Sequence, residues 1–351
     1  MKAVVIRAFG GPEVLAFEEV PDPEAGPGEV RVRVHSIAVA RTKDVSARAG
    51  QPPFADRIQL PHVLGTEHVG VVDQIGIGVD PTLDGARVGV SAVLSCGSCH
   101  ACTILREEAC AHFGLIGVDR QGSYAEYCVV PADNVHRLPD ELSLAQGAAL
   151  AANGPVARAQ LDAGDVTTGS RVLVLGAAGA LGSAAAALAA FRGADVIGVE
   201  RLSLRPGSLD ALPLAARLDG DDDDLPQNIL AVTDGWGVDC VIDNLGLAPL
   251  WNRYRPALAD LGKIIVSGAI GHEPIQMALL PFYLRSQSLI GIRTGNRTQM
   301  TALWQDVRDG FRLTDQLVER VSWSDVASAH VAVASGTASG QIVLQVPQGA
   351  E

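Results

Sequence analysis

Along the first hundred and fifty residues, apolar positions come in short β-branched runs closed off by glycine and proline. Val4 to Ile6, the strictly alternating Glu29 to Val34, and Gly70 to Ile75 are the clearest. Alternation with a period of two puts one face of a strand inward and the other outward, so these runs predict strands. Helical periodicity is weak there, and the region reads as a partly open β-barrel. The texture changes near Ala148. From Arg171 onward strand and helix patterns alternate: Val172 to Leu175, the Ala-rich Gly179 to Phe191, Asp195 to Val199, Val238 to Asp243 and Lys263 to Val266. Continuous apolar strands separated by helices predict a parallel sheet covered on both faces. The last fifty residues return to a mixed pattern, ending in the strand-like Gln341 to Val346.

A length of 351 residues fits two domains, each with its own core. The net charge of −13, with no offsetting basic stretch, argues against nucleic acid and anionic membranes as partners. No apolar run is long enough to span a bilayer, and Arg7 interrupts the opening Met1-Lys-Ala-Val-Val-Ile where a signal peptide needs its apolar core. A cytoplasmic location is expected. The acidic run Asp219 to Asp224 reads as a solvated loop without function.

Four of the six cysteines change this picture. Cys96, Cys99, Cys102 and Cys110 fall at spacings of three, three and eight. Four thiolates so spaced can converge on one tetrahedral zinc, and a four-cysteine site leaves no ligand position open, so its zinc is structural. A reducing cytosol keeps such thiols available for metal rather than disulfides. Cys128 and Cys240 lie in apolar runs and read as buried strand residues. His100, inside the lobe, reads as a surface residue.

A second motif, Gly176-Ala-Ala-Gly179-Ala180-Leu181-Gly182, follows a predicted strand and opens a predicted helix. In that context the glycines permit a tight turn and close approach of backbone N–H groups to a pyrophosphate, with the helix N-terminus facing the same anion. Glu200 stands eighteen residues past Gly182, at the end of the next strand. A carboxylate there accepts hydrogen bonds from the ribose hydroxyls of NAD(H) and repels the 2′-phosphate of NADP(H), which favours NAD(H). Arg201, next to it, could pair with that phosphate.

These features in this order resemble the medium-chain dehydrogenase/reductase superfamily. The likeness covers Met1 to Val5, Gly65 to Val72, the four-cysteine lobe at about 95–112, Gly122 to Glu126, the glycine turn, Val238 to Gly246 with Asn244, and Gly340 to Val343. It implies an α/β protein: a GroES-like barrel domain over 1–152, a Rossmann doubly wound domain over 153–296, and a return to the barrel domain over 297–351. The active site would lie in the cleft between the domains. It further implies cofactor contacts at Asn244, Gly268, Ala269, Ile270, Ile292 and Thr294, Arg41 as either a clamp on cofactor phosphate or a substrate contact, a small-molecule substrate, and a homodimer or homotetramer.

Zinc-dependent members of that superfamily hold a second, catalytic zinc through a Cys, the His of Gly-His-Glu, and a Cys or Glu. Here the first position falls on Ala40 or Arg41, the second on Thr66 within Gly65-Thr66-Glu67, and the third on Asn153. None offers a good zinc ligand, so one structural zinc and no catalytic zinc is the expectation. His68 with Glu67 is too small a donor set to rebuild the site, and His68 reads as a satisfied histidine or one that supports the site from behind its lining residues. Without a Lewis acid, hydride addition to a conjugated double bond is easier than reduction of a plain ketone. Donors expected to hold the enolate oxygen are Thr42, Thr66 and Asn153, with Lys43, Glu67 and His68 as proton carriers. The leading expectation is an NADH-linked reductase of an activated double bond, quinone or unsaturated carbonyl. An alcohol dehydrogenase or carbonyl reductase, or a nucleotide-binding protein without redox turnover, are the alternatives.

Overall fold

The computed structural model describes residues 1–271 and 273–348. The chain divides into two compact units: Met1–Ala152 with Asn296–Glu351, and Asn153–Gly295. Among the described residues no helix is long and apolar enough to cross a membrane.

In the first unit, the alternating strand Glu29–Ala38 is the organising element. It pairs antiparallel with Glu67–Ile75, Tyr127–Pro131 and Gln341–Gln345. Its inward Val30, Val32 and Val34 are fully buried, alongside Val4, Ile6, Ile116 and Tyr124. The period-two pattern thus supplies one continuous barrel core. The register sets Ala38 opposite Glu67 and Ile37 opposite His68. The chain leaving Ala38 therefore enters its next turn beside Glu67.

The second unit is a six-stranded sheet, parallel throughout. Its strands are Arg171–Leu175, Asp195–Glu200, Ala216–Asp219, Val238–Asp243, Leu258–Val266 and Ser288–Gly291. Counted along the chain, their order across the sheet is 3-2-1-4-5-6. That is the doubly wound arrangement in which ligands bind beyond the carboxyl ends of the strands, where the order reverses. Cys240 lies buried in the fourth strand and Cys128 in a barrel strand, as their apolar settings imply. One long helix, Leu144–Ala163, is not announced by the sequence pattern and carries Pro155 within it.

Candidate functional site

The four lobe cysteines converge. Their sulfurs lie within 4.8 Å of one another, a cluster of metal-ligand type. Sulfur separations are 3.6 Å for Cys96–Cys110 and Cys99–Cys102, 3.8 Å for Cys99–Cys110 and 4.0 Å for Cys96–Cys102. Four thiolates about 2.3 Å from one tetrahedral ion stand about 3.8 Å apart, so the set fits zinc. The gaps are far too long for disulfides. Backbone N–H groups of Cys96 and His112 donate to Cys110 Sγ at 3.3 Å, as suits a thiolate. His100 is exposed on the short helix of the lobe.

A second polar cluster forms where the barrel strand Glu67–Ile75 begins. Gly65 takes φ +102°, and a Cβ there would come within 2.5 Å of the Tyr124 ring. Only glycine lets the chain turn so closely, and Thr66 and Glu67 follow directly, both buried. Opposite, Arg41–Val45 form a single π-helical turn, a wide turn that recurs at functional sites. That turn brings Lys43 and Asp44 to the pair. The Lys43 ammonium donates to Glu67 Oε1, and the Thr66 hydroxyl donates to Glu67 Oε2. Asp44 Oδ1 lies 3.4 Å from Thr66 Oγ1, while Asp44 Oδ2 accepts from the Ala40 N–H at 2.8 Å. Asp44 is buried, and burial followed by the nearby Glu67 charge pushes its carboxyl up to about 7. The result is a continuous chain, Lys43–Glu67–Thr66–Asp44, holding one ammonium, one hydroxyl and two carboxyls.

The other expected catalytic residues fare differently. Thr42 is exposed and stands outside the Lys43–Glu67–Thr66–Asp44 chain. Asn153 belongs to the second unit, on the helix Leu144–Ala163. His68 departs from the satisfied alternative: it is fully buried, but neither ring nitrogen has a well-aligned hydrogen-bond partner. Burial pushes it down to about 3, with the backbone of Thr66 compensating only weakly, so it is neutral at pH 7 and joins no proton chain. Asp44 joins this cluster although the replaced ligand positions do not point to it; its signal is an acid two residues from Thr42 on the same turn. A further buried contact, Tyr124 Oη to His330 Nε2 at 2.8 Å, joins residues 206 apart and has no local sequence signature.

In the second unit, the glycine turn follows the first parallel strand. Gly176 takes φ +66°, and a Cβ on Gly182 would stand 2.1 Å from the Gly176 carbonyl oxygen. Gly179 is the N-cap of the helix Ala180–Phe191, which Ala180 and Leu181 open. Asn244 follows the fourth strand and pairs with Gln160, whose Nε2 donates to Asn244 Oδ1 at 2.6 Å. Asn244 Nδ2, Gln160 Oε1 and Ser267 Oγ are shielded from solvent without partners, polar atoms oriented for a ligand at this edge of the sheet. Gly268, Ala269 and Ile270 follow the fifth strand; a Cβ on Gly268 would meet the Asn244 carbonyl at 2.1 Å. Ile292 and Thr294 follow the sixth strand, the Ile292 N–H bonding the Val266 carbonyl at 2.8 Å. All six therefore lie at the carboxyl edge of one sheet, and the glycine cradle and unpartnered polar atoms fit a dinucleotide. Arg41, in the first unit, donates to the Ala334 carbonyl at 3.0 Å.

At the end of the second parallel strand, Glu200 is not a bare carboxylate. Its Oε1 accepts from the Arg201 N–H at 3.0 Å, and its Oε2 pairs with Arg205 Nη1 at 3.1 Å. The Arg201 guanidinium turns to Asp221 Oδ2 at 3.1 Å, so the acidic loop is partly engaged rather than merely solvated. Arg205 has no periodic signal in the sequence, because it sits in an irregular loop.

The model of the alcohol dehydrogenase GroES-like domain matches residues 26–140, and that of zinc-binding dehydrogenases matches residues 180–309. An NAD-dependent alcohol dehydrogenase of Sulfolobus acidocaldarius is 30% identical over 99% of this chain and 100% of its own. The chain belongs to the medium-chain dehydrogenase/reductase superfamily. As a member it is an NAD(P)-dependent oxidoreductase, which sets aside the reading without redox turnover. An L-threonine 3-dehydrogenase of Anaeromyxobacter dehalogenans is also 30% identical, over 98% of both chains. The crystal structure of an NAD-dependent alcohol dehydrogenase superposes with a TM-score of 0.90 at 31% identity, covering 99% of this chain and 100% of that one. Against the cobalt- and zinc-bound alcohol dehydrogenase of Pyrobaculum aerophilum the TM-score is 0.84 at 27% identity, covering 98% and 99%. Within the superfamily fold, among the described residues, the four-cysteine lobe is the one cluster of metal-ligand type.

Proposed function

We propose that this member of the superfamily transfers hydride between NAD(H) and an activated double bond, quinone or unsaturated carbonyl, with no zinc at the substrate position. The observation that carries this reading is the Lys43–Glu67–Thr66–Asp44 chain. Of the positions where the resemblance puts zinc ligands, the second holds Thr66, whose hydroxyl is engaged with Glu67 beside Asp44, and Glu67 in turn holds the Lys43 ammonium. NAD(H), when bound, supplies or takes up the hydride. The Lys43 ammonium offers a cationic donor to an enolate oxygen. Glu67 fixes its position, Thr66 links Glu67 to Asp44, and the raised Asp44 carboxyl holds a proton near neutral pH. Thr42 and Asn153 are further donors in this reading.

The lobe of Cys96, Cys99, Cys102 and Cys110 is assigned one structural zinc on its sulfur geometry. Glu200 favours NAD(H). A cytoplasmic location fits four cysteines held for metal and two buried as thiols. Alcohol or carbonyl chemistry is the second reading, favoured by the names of the relatives and by an ammonium able to return a proton to an alkoxide. Oxidation of NADH with a panel of enones, quinones, aldehydes and ketones separates the two. Turnover restricted to aldehydes and ketones would favour the second.

A further inference from the structure

The ribose end of the cofactor site carries more positive charge than a single acid implies. Glu200 is almost fully covered, and both of its oxygens are already taken by the chain, one by the Arg201 N–H and one by the Arg205 fork. A carboxylate so neutralised repels a phosphate less than a bare one, because the guanidinium field cancels its own. Arg201 adds a second guanidinium on the same corner, anchored by Asp221 with both side chains largely exposed. An exposed pair of this kind holds weakly, so Arg201 is readily redirected. Two guanidiniums, paired with Glu200 and with the exposed Asp221, stand at one corner, and arginine forks match phosphate oxygens two at a time.

We propose that Arg205 is a specificity-determining residue that makes this oxidoreductase accept both NADH and NADPH. With NADH, Glu200 takes the ribose hydroxyls while still paired to Arg205. With NADPH, Arg205 turns from Glu200 to the 2′-phosphate, and Arg201 closes on the same group. The inference rests on the assignment of the dinucleotide site and changes only its selectivity.

The test is titration of the full-length protein with NADH and with NADPH, followed by nicotinamide fluorescence. The two affinities are expected to fall within tenfold of each other. Arg205→Ala should weaken NADPH at least tenfold while leaving NADH unchanged or tighter, because Glu200 is released to the ribose. Arg205→Lys, which keeps the charge and loses the fork, should fall between, with circular dichroism confirming that both variants fold. Glu200→Gln should weaken NADH and not NADPH. A preference for NADH above tenfold in the unmutated protein would overturn the proposal. So would equal weakening of both nucleotides by Arg205→Ala, which marks a merely structural residue. Failure of either nucleotide to bind at all would overturn the cofactor assignment itself, and this inference with it.

Discussion

The Lys43 ammonium rests on the carboxylate of Glu67, a side chain only 3% exposed. A carboxylate that deep stays charged in a fold only with a partner, and removing one partner of such a pair costs about 3 kcal/mol. Lys43→Met is therefore expected to lower the urea unfolding midpoint, and Lys43→Met with Glu67→Gln to recover much of the loss. Equal destabilisation by the single and double variants would contradict the pairing. Both variants should lose turnover, since each removes the cationic donor.

Asp44 gives this cluster a pH signature. Its carboxyl is pushed up to about 7 by burial and by the Glu67 charge, and it also faces Lys43 and lies near buried Tyr124. In the unfolded chain an aspartate titrates near 3.9. Between those values the folded protein keeps a proton that the unfolded chain has released, so the contribution of Asp44 to stability declines as pH rises. It is flat again above about 7. Asp44→Asn removes the decline. Comparing unfolding free energies at about pH 5 and about pH 8, the variant should gain on the unmutated protein as pH rises. A difference independent of pH would show that Asp44 does not carry the proton.

Asn153→Ala tests a proposed oxyanion donor, and Thr66→Ala tests the hydroxyl that links Glu67 to Asp44. Loss of a hydrogen bond to a developing charge removes roughly 1.5–3 kcal/mol, or about tenfold to hundredfold in kcat/KM. Zinc content and NADH affinity should stay unchanged. A parallel loss of NADH affinity in either variant would place that residue in cofactor binding instead.

Cys99→Ser removes one of four sulfurs from the lobe. The variant is expected to lose its zinc and to unfold at lower temperature, because binding of a structural metal contributes directly to folding. An unchanged midpoint would remove the lobe's structural role.

Association is expected at the edge of the parallel sheet. The last strand, Ser288–Gly291, lies at that edge, and Leu279, Leu280, Tyr283 and Leu284 on the neighbouring short helix are each more than 60% exposed. Apolar side chains grouped this way beside an open strand edge are costly to leave in water. A homodimer or homotetramer that dissociates on Leu280→Lys and Leu284→Lys is expected by analytical ultracentrifugation. A monomeric unmutated protein would contradict it.

Regular periodicity carries most of the fold into view. Glu29 to Val34 alternates because one face is core, and the glycine turn is visible because Gly182 must approach the Gly176 carbonyl. The cysteine lobe is legible because its ligands are local in sequence. The parts that are not legible join distant residues or irregular backbone. Asp44 reaches Thr66 only through the pairing of Ala38 with Glu67, and Arg205 reaches Glu200 from a loop. Whether His68 is satisfied is not legible in its sequence neighbours, and burial leaves its ring without a well-aligned partner. Propensity cannot report such tertiary contacts, and the Lys43–Glu67–Thr66–Asp44 cluster is made of them.

The central claim is hydride chemistry without a catalytic zinc. It is tested most directly by following NADH oxidation with enones, quinones, simple aldehydes and alcohols, on protein whose zinc content is fixed by elemental analysis. One zinc per chain is expected, with turnover of conjugated acceptors that added zinc does not change. Two tightly bound zinc ions per chain, or turnover confined to simple aldehydes and alcohols and restored by added zinc, would contradict it.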